Sequence, residues 1–73
     1  MNQVLVFKTN LLNEQHVQQA SKHLNKVKDI VQWNVDLQDC DNVLRVVATP
    51  YCTIESVQNI LAKAGYWCCE LND

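Results

Sequence analysis

Val31-Gln32-Trp33-Asn34-Val35-Asp36-Leu37 alternates apolar and polar residues, and Val43-Leu44-Arg45-Val46-Val47-Ala48 returns after the polar break Asp39-Cys40-Asp41-Asn42. A period of two places Val31, Trp33, Val35 and Leu37 on one face of a half-buried strand. In the returning run, Leu44, Val46 and Ala48 share a face around Arg45. Two such runs joined by a short Asp/Asn-rich turn form an antiparallel hairpin.

The flanks of this hairpin are nearly symmetrical. Upstream, Val4-Leu5-Val6-Phe7 is a short run with apolar residues on both faces, and Asn10 to Asn13 breaks it. Asn13 is then a suitable N-cap, Glu14 sits where a carboxylate suits the helix dipole, and Val17, Ala20, Leu24 and Val27 define one stripe of a helix ending near Lys28. Downstream, Pro50 ends the strand and Thr53 caps a second helix with the stripe Ile54, Val57, Ile60, Leu61 and Ala64, stopped by Gly65. Tyr66 to Leu71 supplies the last strand. The order β-α-β-β-α-β predicts an α+β, ferredoxin-like sandwich: a four-stranded antiparallel sheet in the order 4-1-3-2, with two helices on one face.

A chain of 73 residues that is 48% hydrophobic, with one Gly and one Pro, has one core and no room for a linker, so residues 1–73 are expected to form a single domain. Six Lys and Arg against eight Asp and Glu give a net charge of -2, which offers nothing to a phosphate backbone. The third strand also lacks aromatic residues for stacking on bases, so nucleic acid is not an expected partner. The longest apolar run, Val4 to Phe7, is too short to span or insert into a membrane, and Met1 to Val6 does not resemble a signal peptide. A cytoplasmic setting is expected, with Cys40, Cys52, Cys68 and Cys69 as free thiols. Their spacing contains no C-x-x-C pair, which excludes a zinc ribbon or a thioredoxin-type redox motif.

The run Ile30 to Leu37, the return strand through Val46, and Ile54-Glu55-Ser56-Val57-Gln58-Asn59-Ile60-Leu61-Ala62-Lys63-Ala64-Gly65-Tyr66 resemble the heavy-metal-associated (HMA) domain, the family of copper chaperones and of the metal-binding modules of copper-transporting ATPases. The resemblance runs over essentially the whole chain. Metal-binding members carry G-M-x-C-x-x-C across the first strand-to-helix loop, and the matching stretch here is Asn10-Leu11-Leu12-Asn13-Glu14-Gln15-His16. Matching the helix stripes puts Leu11 at the Met and Asn13 and His16 at the two Cys positions. Copper(I) is soft and is held in such domains by two thiolates, which an amide and an imidazole replace poorly. His16, with Asn13 beside it, could hold at most a divalent ion such as Zn, Cu or Ni weakly, unless other donors converge.

The topology brings the first loop, the hairpin turn and the loop before the last strand to one end of the sheet, so His16, Cys40 and Tyr66 are candidates for one surface. A composite site of His16 with Cys40 or Cys68 stands against a solvated helix-start His and an unrelated turn Cys. The Asp36, Asp39, Asp41 group lacks calcium-loop spacing and reads as a solvated hairpin. Trp33 is in phase with the strand's apolar face and reads as packing, and His23 reads as a boundary residue. Cys68 and Cys69 must face opposite ways in a strand. Local alternation groups Cys69 with Trp67 and Leu71, whereas the resemblance implies that Cys68 faces inward.

No nucleophile elbow, Gly-rich phosphate loop or arguable carboxylate pair is present, so no enzyme is expected. Two functions compete. One is metal binding or trafficking through a degenerate site at Asn13 and His16. The other is a metal-free protein-protein interaction module, whose partner surface is Leu11, Leu12, Tyr66 and Trp67 and whose partner is another HMA-like domain or a second copy. A thiol-redox sensor is a more distant third.

Overall fold

The computed structural model describes residues 1–71. The elements are β1 (Gln3–Thr9), α1 (Glu14–Leu24), β2 (Ile30–Asp36), β3 (Val43–Ala48), α2 (Ile54–Lys63) and β4 (Cys68–Glu70). The four strands form one antiparallel sheet in the order β2-β3-β1-β4, as the hairpin and the two right-handed crossovers require.

The inward side of β3 carries Leu44, Val46 and Ala48, all fully buried, opposite Phe7 and Leu5 of β1. Ala20 and Leu24 of α1 and Val57 and Leu61 of α2 close on them, with Leu11, Cys52 and Cys68 completing the core. Trp33 packs against this core from β2, and its indole N–H donates to Asn25 Oδ1 at 2.9 Å, satisfying the polar edge of a half-buried ring.

Both helices are capped by the residues that the sequence marks. Thr53 forms a reciprocal capping box with Ser56. At the other end of α2, Gly65 N–H donates to Ala62 O at 3.0 Å and Tyr66 N–H to Leu61 O at 2.9 Å, a Schellman closure. That closure places Gly65 at φ +94, a conformation that L side chains rarely adopt.

Three boundaries differ from the sequence expectation. Helix α1 stops at Leu24 instead of continuing to Lys28: Lys26 N–H bonds to His23 O and Val27 N–H to Leu24 O, so the chain tightens into three-residue turns. Val27 therefore lies beyond the helix. In β2 the register shifts between Ile30 and Gln32, and Val31 sits in the resulting bulge, 56% exposed instead of facing inward. Strand β4 is confined to Cys68–Glu70, because Tyr66 is consumed by the helix closure and Trp67 bonds to Asn10. Inside β4, Cys68 is buried opposite Thr9 while Cys69 is exposed opposite Lys8. The inward Cys is therefore the one that the resemblance implies, and the local alternation of Trp67, Cys69 and Leu71 does not hold.

This burial makes a thiol prediction. Desolvation, with a smaller contribution from Cys69, pushes the Cys68 thiol from 9.0 up to about 11. At pH 8, a water-soluble maleimide will label Cys40 and Cys69 quickly and leave Cys52 and Cys68 unmodified until the protein is denatured, as read by intact mass. Above the ordinary thiol range the unfolded chain releases the Cys68 proton and the folded chain keeps it, so stability falls between about pH 9 and 11 and is unaffected by this group below that window. Four equally fast labels would contradict the packing of β4.

Candidate functional site

The end of the sheet where β1 runs into α1 is organised by polar side chains. Thr9 ends β1 almost fully buried; its hydroxyl donates to Asn42 O at 2.6 Å and accepts Leu11 N–H at 3.1 Å. Its backbone N–H reaches Asp41 O at 3.1 Å, so the β2-β3 turn and the loop before α1 are tied to one residue. On the other side Asn10 Oδ1 accepts Trp67 N–H at 2.9 Å, fastening the same loop to the start of β4.

Asn13 and His16 then close the loop on α1. Asn13 is extended at φ -156, and its Oδ1 accepts His16 N–H at 2.9 Å, the N-cap bond for an otherwise orphaned helix donor. His16 answers with Nδ1, which accepts Leu12 N–H at 3.1 Å. The pair behaves like a capping box displaced by one residue, with His in the place usually taken by Glu or Gln. An i, i+3 pair at a helix start is also the spacing of C-x-x-C.

This arrangement decides what the two side chains can hold. With Nδ1 accepting, the neutral imidazole carries its proton on Nε2. A metal on Nδ1 would displace the Leu12 bond, and a metal on Nε2 would push the proton onto Nδ1, where it would face the Leu12 N–H. The Asn13 amide oxygen is likewise engaged. Two neutral, hard-to-borderline donors already committed to the backbone do not suit Cu(I), which selects thiolates.

The His16 ring lies 5.0 Å from the Tyr66 ring, tilted by 42°, and Tyr66 Oη donates to Gln19 Oε1 at 2.7 Å. His16 and Tyr66 thus meet as expected. Leu11 does not lie on the surface: it is fully buried in the core and anchors the loop from beneath, because an apolar side chain at this bend has the helix-sheet interior within reach. Its neighbour Leu12 is 65% exposed and Trp67 48% exposed. The outer surface of the loop is therefore Leu12 and Trp67 beside a half-buried Tyr66, without Leu11.

Among the described residues His16 joins no cluster of three or more potential metal donors. The donors that do converge are Asp39, Cys40 and Asp41, within 4.8 Å of one another. Asp39 Oδ1 already accepts Asp41 N–H at 2.9 Å, and Asp41 pairs with Lys8 Nζ at 3.7 Å. Thr9, Asn10 and Gln19 are the contributors that sequence reasoning missed. Thr and Asn at a strand end do signal side-chain bonding to the local backbone, but the partners, 33 and 57 residues away, are not visible in a linear pattern.

No protein-family model matches this chain, and no curated protein matches it in sequence. Among solved structures it superposes on the apo HMA domain of the copper chaperone for superoxide dismutase with a TM-score of 0.80 at 21% identity, covering 99% of this chain and 69% of that one. Oxidized MerP from Ralstonia metallidurans CH34 gives 0.83 at 14% identity, covering 99% of this chain and all of the other. A yeast copper-transporter domain, determined in apo and Cu(I)-loaded states, gives 0.79 at 17% identity, with 96% of each chain covered. The fold is that of the heavy-metal-associated domain. Within that fold the chain is similar to the HMA domain of the copper chaperone for superoxide dismutase and to the yeast copper-transporter domain.

Proposed function

We propose that this chain is a docking module on a metal-trafficking fold, in which the first loop has become a metal-free surface for another HMA-like domain. The observation that supports this reading is the pair of reciprocal bonds, His16 N–H to Asn13 Oδ1 and Leu12 N–H to His16 Nδ1. A loop ordered by its own hydrogen bonds needs no ion to hold its shape. Preorganisation of that kind favours binding by lowering the ordering cost at the interface. Leu12 and the Trp67 indole provide the exposed apolar contact, with Tyr66 held upright between His16 and Gln19. The reading includes no catalytic step.

The test has two arms. In the first, the reduced protein and its His16→Ala variant are titrated with Cu(I), Zn(II) and Ni(II) and examined by native mass spectrometry, and no stoichiometric complex is expected. A one-to-one complex that disappears in the variant would establish instead the degenerate metal site, with His16 as ligand. In the second, binding to the HMA domain of a copper-transporting ATPase from the same organism is followed with a chelator present. The complex is expected to form and to weaken about tenfold or more with Leu12→Asp, the loss appropriate to an apolar contact at an interface centre. A complex that requires added Cu(I) would sink the reading.

A further inference from the structure

The sheet face without helices presents its side chains in cross-strand rows. Val4 of β1, Val47 of β3 and Gln32 of β2 make one row, and Val6, Arg45 and Asn34 make the next. A concavity of about 360 Å³ opens on this face, lined by Val4, Val47, Gln32, Asn34 and Arg45 and completed by Trp33 of the edge strand. That volume lies at the lower end of small-ligand pockets, about 300–1,000 Å³.

The chemistry of the lining is one-sided. Val4 is 61% exposed and, with Val47, gives an apolar floor. Among the described residues Arg45 is the one charged residue of the lining, and it takes part in no ion pair with any of them. Among the described residues no carboxylate lines the concavity, although the chain as a whole carries a net charge of -2. Its fixed guanidinium fork matches a carboxylate in two parallel bonds, and the amides of Asn34 and Gln32 can add donors beside it.

We propose that this face binds a small organic monocarboxylate, with its apolar body on Val4 and Val47 and its carboxylate on Arg45. An amino acid fits less well, because the lining offers no anion for its ammonium group. A hydrocarbon or an amine would leave the guanidinium unmatched. The site is separate from the loop at the end of the sheet and does not rest on the docking reading.

The test is a two-dimensional amide NMR titration with phenylacetate, with uncharged 2-phenylacetamide and cationic phenethylamine as controls. Phenylacetate should produce saturable shifts at Val4, Asn34, Arg45 and Val47. Its affinity should exceed that of 2-phenylacetamide by about tenfold, the scale of one charge-assisted pair. Arg45→Met keeps the length of the exposed side chain and removes the guanidinium; it should reduce phenylacetate affinity to that of the amide. The spectrum of the variant itself reports whether the fold is intact. Arg45→Lys should recover only part of the preference, because an ammonium cannot form the parallel pair. Non-saturating shifts, shifts centred elsewhere, equal affinity for the amide, or an unchanged response in Arg45→Met would each overturn the assignment.

Discussion

The double substitution Asn13→Cys/His16→Cys is expected to convert the chain into a Cu(I)-binding domain, taking up one ion per molecule where, on the docking reading, the unmodified protein is expected to take up none. The backbone needed is already present: position 13 is the N-cap of α1 and position 16 lies one turn on. Two thiolates at that spacing satisfy a soft ion, and the helix N-terminus favours the thiolate form by its dipole. The exchange removes both reciprocal bonds, so the metal-free variant should lose about 1 kcal/mol, the usual worth of a cap, and regain it on loading. Native mass spectrometry under reducing conditions, with a competing chelator, reads the first result, and thermal melting with and without Cu(I) reads the second. A double variant that folds and still takes up no copper would show that two thiolates at this spacing are not enough to make this loop a copper site.

Phe7→Ala should have the largest effect on stability of any single change. Phe7 is fully buried at the centre of β1, between β3 and β4 in the sheet and beneath the helices. Truncating a buried Phe costs about 3–5 kcal/mol, from lost transfer free energy and the cavity left behind. A domain of this length has a total stability of roughly 4–11 kcal/mol. The variant should melt at least about 12 °C lower, at roughly 4–8 °C for each kcal/mol in a domain of this size. Circular dichroism melts measure this directly, and a decrease below about 5 °C would mean that the core tolerates the cavity by collapsing around it.

The order of elements and the sheet topology were legible because local signals agreed: the alternation through β3, the Thr53 cap and the Gly65 stop all point to one architecture. Val31 was misread for a physical reason, since a bulge inserts a residue without altering the apolar pattern that a period-two reading depends on. Cys68 was ambiguous because β4 is three residues long, too short for alternation to outweigh the anchoring of its flanks by Gly65 and Asn10. At the loop, the Asn13 cap could be read, but the bond by which His16 Nδ1 accepts Leu12 N–H could not, because it depends on which way the imidazole turns. Leu11 was placed on the wrong side of the surface for a similar reason. Two adjacent leucines in a loop look equivalent in sequence, and only packing separates the one beneath from the one outside.

The bulge at Val31 has a consequence for life at high concentration. An edge strand is a template on which identical chains can stack, and β2 is one of the two edges of this sheet. Its register breaks after Ile30, which interrupts the row of backbone groups that a second molecule would need to match. The opposite edge, β4, offers three residues among those described. Both borders therefore discourage growth of the sheet from molecule to molecule, and a strand pairing that would seed fibres meets a misfit at one border and too short a ledge at the other.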